Sequence, residues 1–482
     1  MDAKADLDQY PLFIGGKRVA AGSGEYSLDL NPATEEPIAH VAQGGREDVD
    51  AAVRAARAAL KVWGGMRAAE RGRILQQAAA LIEEHQEELI ELESLDAGKP
   101  LAAVRRQDMP AVIDTLRYYA GWCDKITGQV IPARPDALTY TVREPVGVVA
   151  AIVPWNFPLM IGMWKIAPAL ACGCTLVVKP AELTPLTMLR VAELFVEAGL
   201  PPGAFNVVCG KGSVVGEALV QHPDVDKVTF TGSPRVGRGI LQGAAGNFKK
   251  VTLELGGKSA NVIFADANLD RAARSAASGI FFNAGQVCSA GSRVLVQRPV
   301  YDEVLDRLVE RARSIRLGDP SEPKTTMGPV ISAGQMKTVL DYIAIGKAEG
   351  ASAVTGGGRV PGEGYFIEPT VFANVRHEMR ISQEEIFGPV LAVIPFEDEA
   401  DALRIANGTA YSLAAGAWSA DIGRLHRMAA GLKAGTVWLN TYGYTDVRLP
   451  WGGAGQSGFG REHGESALQN FTTPKAVWLA LD

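Results

Sequence analysis

The 482-residue chain has only five cysteines, Cys123, Cys172, Cys174, Cys209 and Cys288, an odd number scattered along its length. That excludes a disulfide scaffold and fits a reducing compartment, so a cytoplasmic location is expected. Its six histidines, His40, His85, His222, His377, His426 and His463, form no ligand-spaced cluster, and no metal site is expected. Cys172-Gly173-Cys174 has apolar flanks and no third ligand close by, so both thiols read as buried structural cysteines. No uninterrupted apolar run approaches the roughly 20 residues of a membrane span. The acidic N-terminus, Met1-Asp2-Ala3-Lys4-Ala5-Asp6, lacks the apolar core of a signal peptide. A net charge of −6 offers no basic excess to nucleic acid or an anionic membrane. What remains is a composition of 47% hydrophobic and 21% charged residues, ordinary for a globular chain of two or three domains.

Residues 11–30 read as short strands and turns, and 46–63 and 67–97 carry helical periodicity. Continuous apolar runs of strand length follow at 146–153, 175–178, 205–208, 227–230, 251–255 and 260–264, with helical stretches at 184–199 and 212–221. Apolar strands alternating with helices predict a parallel sheet covered on both faces. A second such series lies beyond Cys288, with a strand at 294–296, helices at 299–316 and 333–349, and strands near 370 and at 390–395. The chain is therefore expected to be α/β with two domains. The glycine-rich segments 356–364 and 452–460 read as loops.

Cys288 is the most telling residue. It sits in Phe282-Asn283-Ala284-Gly285-Gln286-Val287-Cys288-Ser289-Ala290, a glycine-bearing turn between apolar segments. Glu254 lies 34 residues upstream, in Thr252-Leu253-Glu254-Leu255-Gly256-Gly257-Lys258. A thiol can be a nucleophile and a carboxylate a general base. Pro154-Trp155-Asn156-Phe157-Pro158 holds an amide in a turn stiffened by two prolines, suited to an oxyanion or simply to a structural turn. Lys179-Pro180-Ala181-Glu182 closes a strand, where Glu182 could accept hydrogen bonds from ribose hydroxyls and repel a 2′-phosphate; the alternative is a solvated ion pair. Thr231-Gly232-Ser233-Pro234-Arg235-Val236-Gly237 could bind an anion at a helix start or be a plain strand-to-helix turn. Glu384-Glu385-Ile386-Phe387-Gly388-Pro389 and the five-glycine loop 451–462 could be mere turn chemistry.

Taken in order, the motifs PWNFP, KPAE, FTGS, LELGGKS, GQVCSA, EEIFGP and SGFGRE make the chain resemble the NAD(P)-dependent aldehyde dehydrogenase superfamily from about residue 11 to 478, closest to its general aldehyde/retinal and betaine-aldehyde branches. The resemblance implies an aldehyde dehydrogenase-like fold: a Rossmann-type cofactor domain (1–126 and 146–257), an α/β catalytic domain (258–470) and a small β oligomerisation arm (127–145 and 471–482) in a homotetramer or homodimer. It implies Cys288 as nucleophile, Glu254 as the base activating water, and Asn156 with the Cys288 N–H as oxyanion hole. Lys179 and Glu182 would hold the adenosine ribose, Ser233 and the turn Gly232–Gly237 the pyrophosphate, Trp155 the cofactor cleft, and Glu385 and Phe387 the nicotinamide end. NAD is expected, with NADP as the lesser alternative because Lys179 could pair with its phosphate. Phe157, Ile161, Trp164, Phe282, Val287, Ser289, Tyr444, Thr445 and Trp451 would line the substrate tunnel. One departure stands out: the glycine-rich loop usually reads G-G-x-K-x-S-G, and Gly455 replaces that Lys.

The implied reaction oxidises a small-molecule aldehyde to its acid through a Cys288 thioester. A CoA-acylating relative would not need Glu254, and a family member kept only as a binding protein would not need Cys288, Glu254 and Asn156 together. The apolar and aromatic tunnel suits aliphatic or aromatic aldehydes. Aromatic faces also attract quaternary ammonium, and Asp446 lies nearby in sequence, so a betaine-type or amino-aldehyde is the rival substrate; the alternative is a surface pair of Asp446 with Arg448.

Overall fold

A computed structural model describes residues 7–481. The acidic stretch Met1–Asp6, on which the signal-peptide expectation falls, and Asp482 lie outside the described residues. The described chain opens with short strands β1 (Gln9–Tyr10), β2 (Leu12–Ile14), β3 (Lys17–Val19), β4 (Tyr26–Leu30) and β5 (Pro37–Ala42). Helices α1 (Arg46–Gly65), α2 (Ala68–Glu84) and α3 (Gln86–Ala97) follow. In α1, Val49, Ala52, Val53, Ala56, Ala59 and Trp63 are buried at helical spacing. The stretch 67–97, read as carrying helical periodicity, forms two helices that meet at His85, whose φ of −93° and ψ of 15° leave the helical region. Glu87 and Glu88 then suit the start of a new helix, where acidic side chains complement the dipole.

After α4 (Leu101–Ala103), α5 (Met109–Ala120) and β6 (Ala137–Pro145) comes the alternating series: β7 (Val148–Ile152), α6 (Pro158–Ala171), β8 (Thr175–Lys179), α7 (Leu186–Glu197), β9 (Phe205–Val207), α8 (Glu217–Gln221), β10 (Lys227–Thr231), α9 (Pro234–Ala244) and β11 (Lys250–Glu254). The strand expected at 146–153 starts later because Gly147 has φ +124° and a Cβ there would strike the Asp226 carboxylate, which accepts from Val148 N–H at 2.7 Å. The helix expected over 212–221 begins as a wide π-helical turn bracketed by Gly212 and Gly216. Strands β7 to β11 are parallel, in the order β11-β10-β7-β8-β9, with β2 and β3 continuing the sheet beyond β9. The chain winds outward from β7, then returns to put β10 and β11 on its other side. That reversal opens a crevice at the carboxyl ends of β7 and β10. All fourteen residues of α6 are buried against this sheet and its neighbours.

The second sheet uses β12 (Ala260–Ile263), β13 (Arg293–Gln297), β14 (Ser352–Thr355), β15 (Thr370–Ala373), β16 (Val390–Phe396), β17 (Ala414–Trp418) and β18 (Thr436–Leu439). Its order is β14-β15-β16-β13-β12-β17-β18, parallel except for β14. The sequence reading missed β14, β17 and β18. In β17 the run Ala414-Ala415-Gly416-Ala417-Trp418 has low strand propensity, and burial of all five residues overrides it. The glycine-rich loop contributes a two-residue strand, β19 (Gly458–Phe459), antiparallel to β11. Finally β20 (Thr472–Ala480) pairs antiparallel with β6 along its full length, leaving Leu138, Trp478 and Leu479 exposed. The two strands of this ribbon fall within 127–145 and 471–482, with continuous strand starting at Ala137 rather than 127.

Candidate active site

The sequence motifs converge where the two sheets meet. β11 ends at Glu254, and Leu255–Ser259 crosses into β12. The crossing is tight: a Cβ on Gly256 would lie 1.9 Å from Glu385 Oε2, and one on Gly257 would lie 2.5 Å from the Cys288 carbonyl oxygen. Glycine is required at both positions by close approach alone. On the other side, α10 (Leu269–Phe281) delivers the chain into the Cys288 turn.

That turn is strained and braced. Asn283 and Ala284 adopt left-handed backbone (φ 49° and 51°), at a cost of about 1–3 kcal/mol each. Gly285 follows at φ +74°, where a Cβ would meet the Gly388 carbonyl at 2.0 Å. Asn283 Nδ2 donates to the Asn156 carbonyl at 2.9 Å, and Gln286 Nε2 to the Asn283 carbonyl at 3.1 Å. Gln286 Oε1 accepts from Ile331 N–H at 2.9 Å. Tyr442 OH donates to the Ser289 carbonyl at 2.9 Å. Cys288 is thereby presented half-buried at the junction.

Asn156, buried at the end of the turn after β7, donates from Nδ2 to the Gln286 carbonyl at 2.8 Å. Its own carbonyl also accepts from Lys99 Nζ at 3.5 Å. Lys99 pairs with Asp108 in a buried ion pair and lies 3.8 Å from the Phe157 ring centroid. Glu254 is buried, its Oε2 without a hydrogen-bond partner. Glu385 Oε1 accepts from Gly257 N–H at 2.9 Å.

Burial dominates the electrostatics. It pushes the Cys288 thiol up to about 12, with Glu385 and Glu254 adding to the effect. It holds Glu254 well above the usual carboxylate range, reinforced by Glu462 and opposed by Lys165 and Arg461. Glu385 is raised to about 7 by burial, against the pull of Gly257 N–H and Lys258. Beneath Glu254, Lys165 and Glu462 form a buried ion pair at 2.7 Å.

The crevice carries the predicted cofactor residues. Ser233 caps α9, an eleven-residue helix with Pro234 at its first position, and accepts from Val236 N–H at 3.4 Å. Thr231 Oγ1, just before it, is buried and unpartnered. Gly237 packs on Leu255, and Gly232 on the Phe230 ring. Lys179 is buried and donates to the Pro180 carbonyl at 3.0 Å. Glu182 is exposed and accepts from Gly212 N–H at 2.6 Å. Trp155 meets Phe387 edge-on at 5.3 Å between ring centroids. A helix N-terminus for an anion, an orphaned hydroxyl just before it and an exposed carboxylate for hydroxyls fit a dinucleotide.

An aromatic cluster adjoins the Cys288 turn. Phe157 stacks with Phe282 at 6.1 Å, and Trp164 lies 6.0 Å from Trp451. Val287 and Ser289 flank the thiol in sequence, and Ile161 is buried on α6. Tyr444 and Thr445 are exposed, and the Tyr444 carbonyl accepts from Trp438 Nε1 at 2.9 Å, whose ring lies 6.3 Å from that of Trp451. Asp446 is engaged by Arg448 at 2.6 Å and held down at about 2 by that bond, so it is the surface pair. Gly455 has φ +60°, which glycine meets without strain, and borders a surface recess of about 450 Å³ that includes Tyr411, Lys433, Ala454 and Arg461.

Sequence reading missed Lys99, Asn283, Gln286, Tyr442, Lys258 and the Lys165–Glu462 pair. Lys258 is buried with Nζ unpartnered and is lowered to about 7 by burial. A polar residue inside an apolar run, such as Lys165 in Gly162-Met163-Trp164-Lys165-Ile166-Ala167, was the available signal.

A family model described as "Aldehyde dehydrogenase family" matches residues 19–477. Aldehyde dehydrogenase 1A1 of Gallus gallus is 48% identical over 475 residues, 98% of this chain and 93% of that relative. A solved aldehyde dehydrogenase from Bacillus cereus, in its NAD+ complex, is similar with a TM-score of 0.97 at 49% identity, covering 98% of this chain and 97% of that one. A betaine aldehyde dehydrogenase from Staphylococcus aureus, in complex with NAD+, is similar with a TM-score of 0.96 at 43% identity, covering 98% and 95%.

Proposed function

The chain belongs to the aldehyde dehydrogenase family, and from that premise we propose that it oxidises an aldehyde to the carboxylic acid with NAD and water, through a thioester on Cys288. The observation that carries this reading is the Asn156 amide, fixed at 2.8 Å on the Gln286 carbonyl, two residues before a thiol with Glu254 as a charged neighbour.

Burial keeps the Cys288 thiol protonated, so attack needs a proton acceptor; the neighbouring Glu254 serves in its ionised form, in which its raised proton affinity makes it the stronger base. Cys288 Sγ bonds to the aldehyde carbon as its proton passes to Glu254. One Asn156 N–H is held by Gln286, and the other, with the Cys288 N–H, receives the alkoxide. When bound, NAD supplies the hydride acceptor. Loss of hydride leaves the thioester on Cys288. Glu254 passes that proton to solvent, then takes one from the water that attacks this carbonyl and returns it to the departing Cys288 thiolate. The C–S bond breaks and the acid departs.

The α9 N-terminus with Gly232, Ser233 and Gly237 would receive the diphosphate, Lys179 and Glu182 the adenosine ribose, and Trp155, Glu385 and Phe387 the nicotinamide end. Glu182 favours NAD over NADP by repelling a 2′-phosphate. The cofactor domain would comprise 1–126 and 146–257, the catalytic domain 258–470. The exposed β6–β20 ribbon supports an oligomerisation arm at 127–145 and 471–482, in a dimer or tetramer.

Phe157, Trp164, Phe282, Val287, Ser289 and Trp451 would form the substrate tunnel, suited to aliphatic and aromatic aldehydes. The rival, a betaine-type aldehyde, has the aromatic faces in its favour, but Asp446 is already neutralised by Arg448. The test is reduced-nicotinamide absorbance with hexanal, benzaldehyde and betaine aldehyde, with NAD or NADP, with and without CoA. CoA-independent reduction of NAD with hexanal or benzaldehyde is expected. Strict CoA dependence would remove Glu254-driven hydrolysis, and exclusive use of betaine aldehyde would overturn the substrate assignment.

A further inference from the structure

Glu462, His463 and Gly464 bracket the two tryptophans of the proposed tunnel wall. Trp451 and Glu462 exchange backbone hydrogen bonds in both directions, at 2.7 and 2.8 Å. Trp164 precedes Lys165, whose ammonium pairs with Glu462. His463 closes the bracket, its ring centroid 4.3 Å from that of Trp164 with the planes at 72°. Gly464 N–H donates to the Val447 carbonyl at 2.7 Å, and Ser466 Oγ to the His463 carbonyl at 3.1 Å, so the backbone is pinned on both sides.

Two observations single out His463. Its φ of 63° and ψ of 166° lie in a region that is essentially glycine's alone. Such backbone persists only where the surroundings over-determine it, and it gathers at functional sites. The side chain is only 3% exposed, and Nε2 is buried without a hydrogen-bond partner. An unpaired buried nitrogen is costly, and the Trp164 indole is the aromatic surface packed on this ring. Their edge-to-face meeting is a favourable aromatic packing geometry that fixes one ring against the other. Burial lowers the imidazole to about 4, against Asp446 and with Lys165, so the ring is neutral at ordinary assay pH. Arg448 neutralises Asp446 and Glu462 neutralises Lys165, which leaves no free charge on the ring's flanks among these neighbours.

We propose that His463 is a positioning residue that holds Trp164 toward Trp451 and so sets how bulky an aldehyde the tunnel accepts. The inference rests on the reading of these tryptophans as tunnel wall. Freed from the imidazole, the indole gains rotamers and the wall loses its defined width.

The experiment compares kcat/KM for propanal and 2-naphthaldehyde in wild type, His463→Gly, His463→Gln and Trp164→Ala. Glycine adopts the native backbone at 463 without strain, so this variant should fold. His463→Gly should shift the bulky-to-small ratio about tenfold, the scale of steric discrimination in an apolar pocket. His463→Gln, which keeps a planar group at similar reach, should return the ratio to within about threefold of wild type. An unchanged ratio in His463→Gly, with or without a lower Tm, while Trp164→Ala shifts it, overturns the inference and leaves the tunnel standing. Unchanged kinetics in Trp164→Ala remove the tunnel reading, and this inference with it.

Discussion

Cys288 and the pair Cys172–Cys174 occupy glycine-bearing turns of similar sequence character, yet they differ in what surrounds the sulfur. Burial raises all three thiols: Cys174 to about 11, Cys288 to about 12 and Cys172 well above its ordinary value. Proton affinity therefore does not tell a nucleophile from a packed thiol. Partners do. Cys174 Sγ donates to the Phe471 carbonyl at 3.2 Å, and Cys172 Sγ to the Leu468 carbonyl at 3.9 Å. Cys288 has two carboxyl groups, Glu385 and Glu254, as its charged neighbours, where Cys172 has Arg71 and Arg143 and Cys174 has Lys227 and Asp226, and the turn that carries it is held at Gln286 by Asn156 and at Ser289 by Tyr442. The first two thiols are spent on packing, and the third is left available.

Breaking the contrast outright, Cys288→Ala should lower turnover at least about 10⁴-fold while calorimetry still finds NAD binding. Retained turnover would return Cys288 to the packed class. Glu254→Gln should slow the steady state by about 10²–10⁴, because an amide cannot take the proton of water. Because Glu254 also takes the thiol proton, the burst of reduced cofactor should itself be slow at neutral pH and recover as pH rises, while hydrolysis does not, and mass spectrometry should then find an acyl adduct on Cys288. Normal turnover without an adduct would take Glu254 out of the reaction. Asn156→Ala should lower kcat about 10²–10³-fold with NAD affinity kept, the usual loss for one oxyanion donor; an unchanged kcat makes it a turn residue.

Two gentler measurements sharpen the comparison. A thiol raised to about 12 is almost wholly protonated at neutral pH, and its thiolate grows as pH rises. Iodoacetamide should therefore modify Cys288 in the cofactor-free enzyme about tenfold faster per pH unit between about 7 and 9, sparing Cys172 and Cys174. A plateau near pH 7 would contradict the raised thiol. Cys174→Ala should keep turnover near wild type and lower Tm by about 2–4 °C through the lost packing contact; lost activity at unchanged Tm would erase the distinction.

Much of this was legible in residues alone. Apolar runs located the strands β7 to β12 to within two or three residues, since burial on both faces of a parallel sheet demands them. Asn156 lies on the Gln286 carbonyl of the Cys288 turn, and Glu254 is a charged neighbour of the thiol, so the three motifs meet in space. The supports were not legible. Asn156 meets Gln286 across 130 positions and Lys165 meets Glu462 across 297, and no local pattern encodes such pairings. The break at His85 and the strand β17 also escaped, the one set by a single backbone geometry, the other by packing against propensity.

The Lys165–Glu462 pair also orders events during synthesis. At about 5–20 residues per second, Glu462 leaves the ribosome some 15–60 seconds after Lys165. Through that interval the ammonium, destined for the most enclosed helix of the protein, has no counter-ion. Settling that helix against the sheet earlier would bury the ammonium without this partner, at the cost an unpaired buried charge carries. On this account the first domain is expected to close fully around α6 only once that late segment has been made.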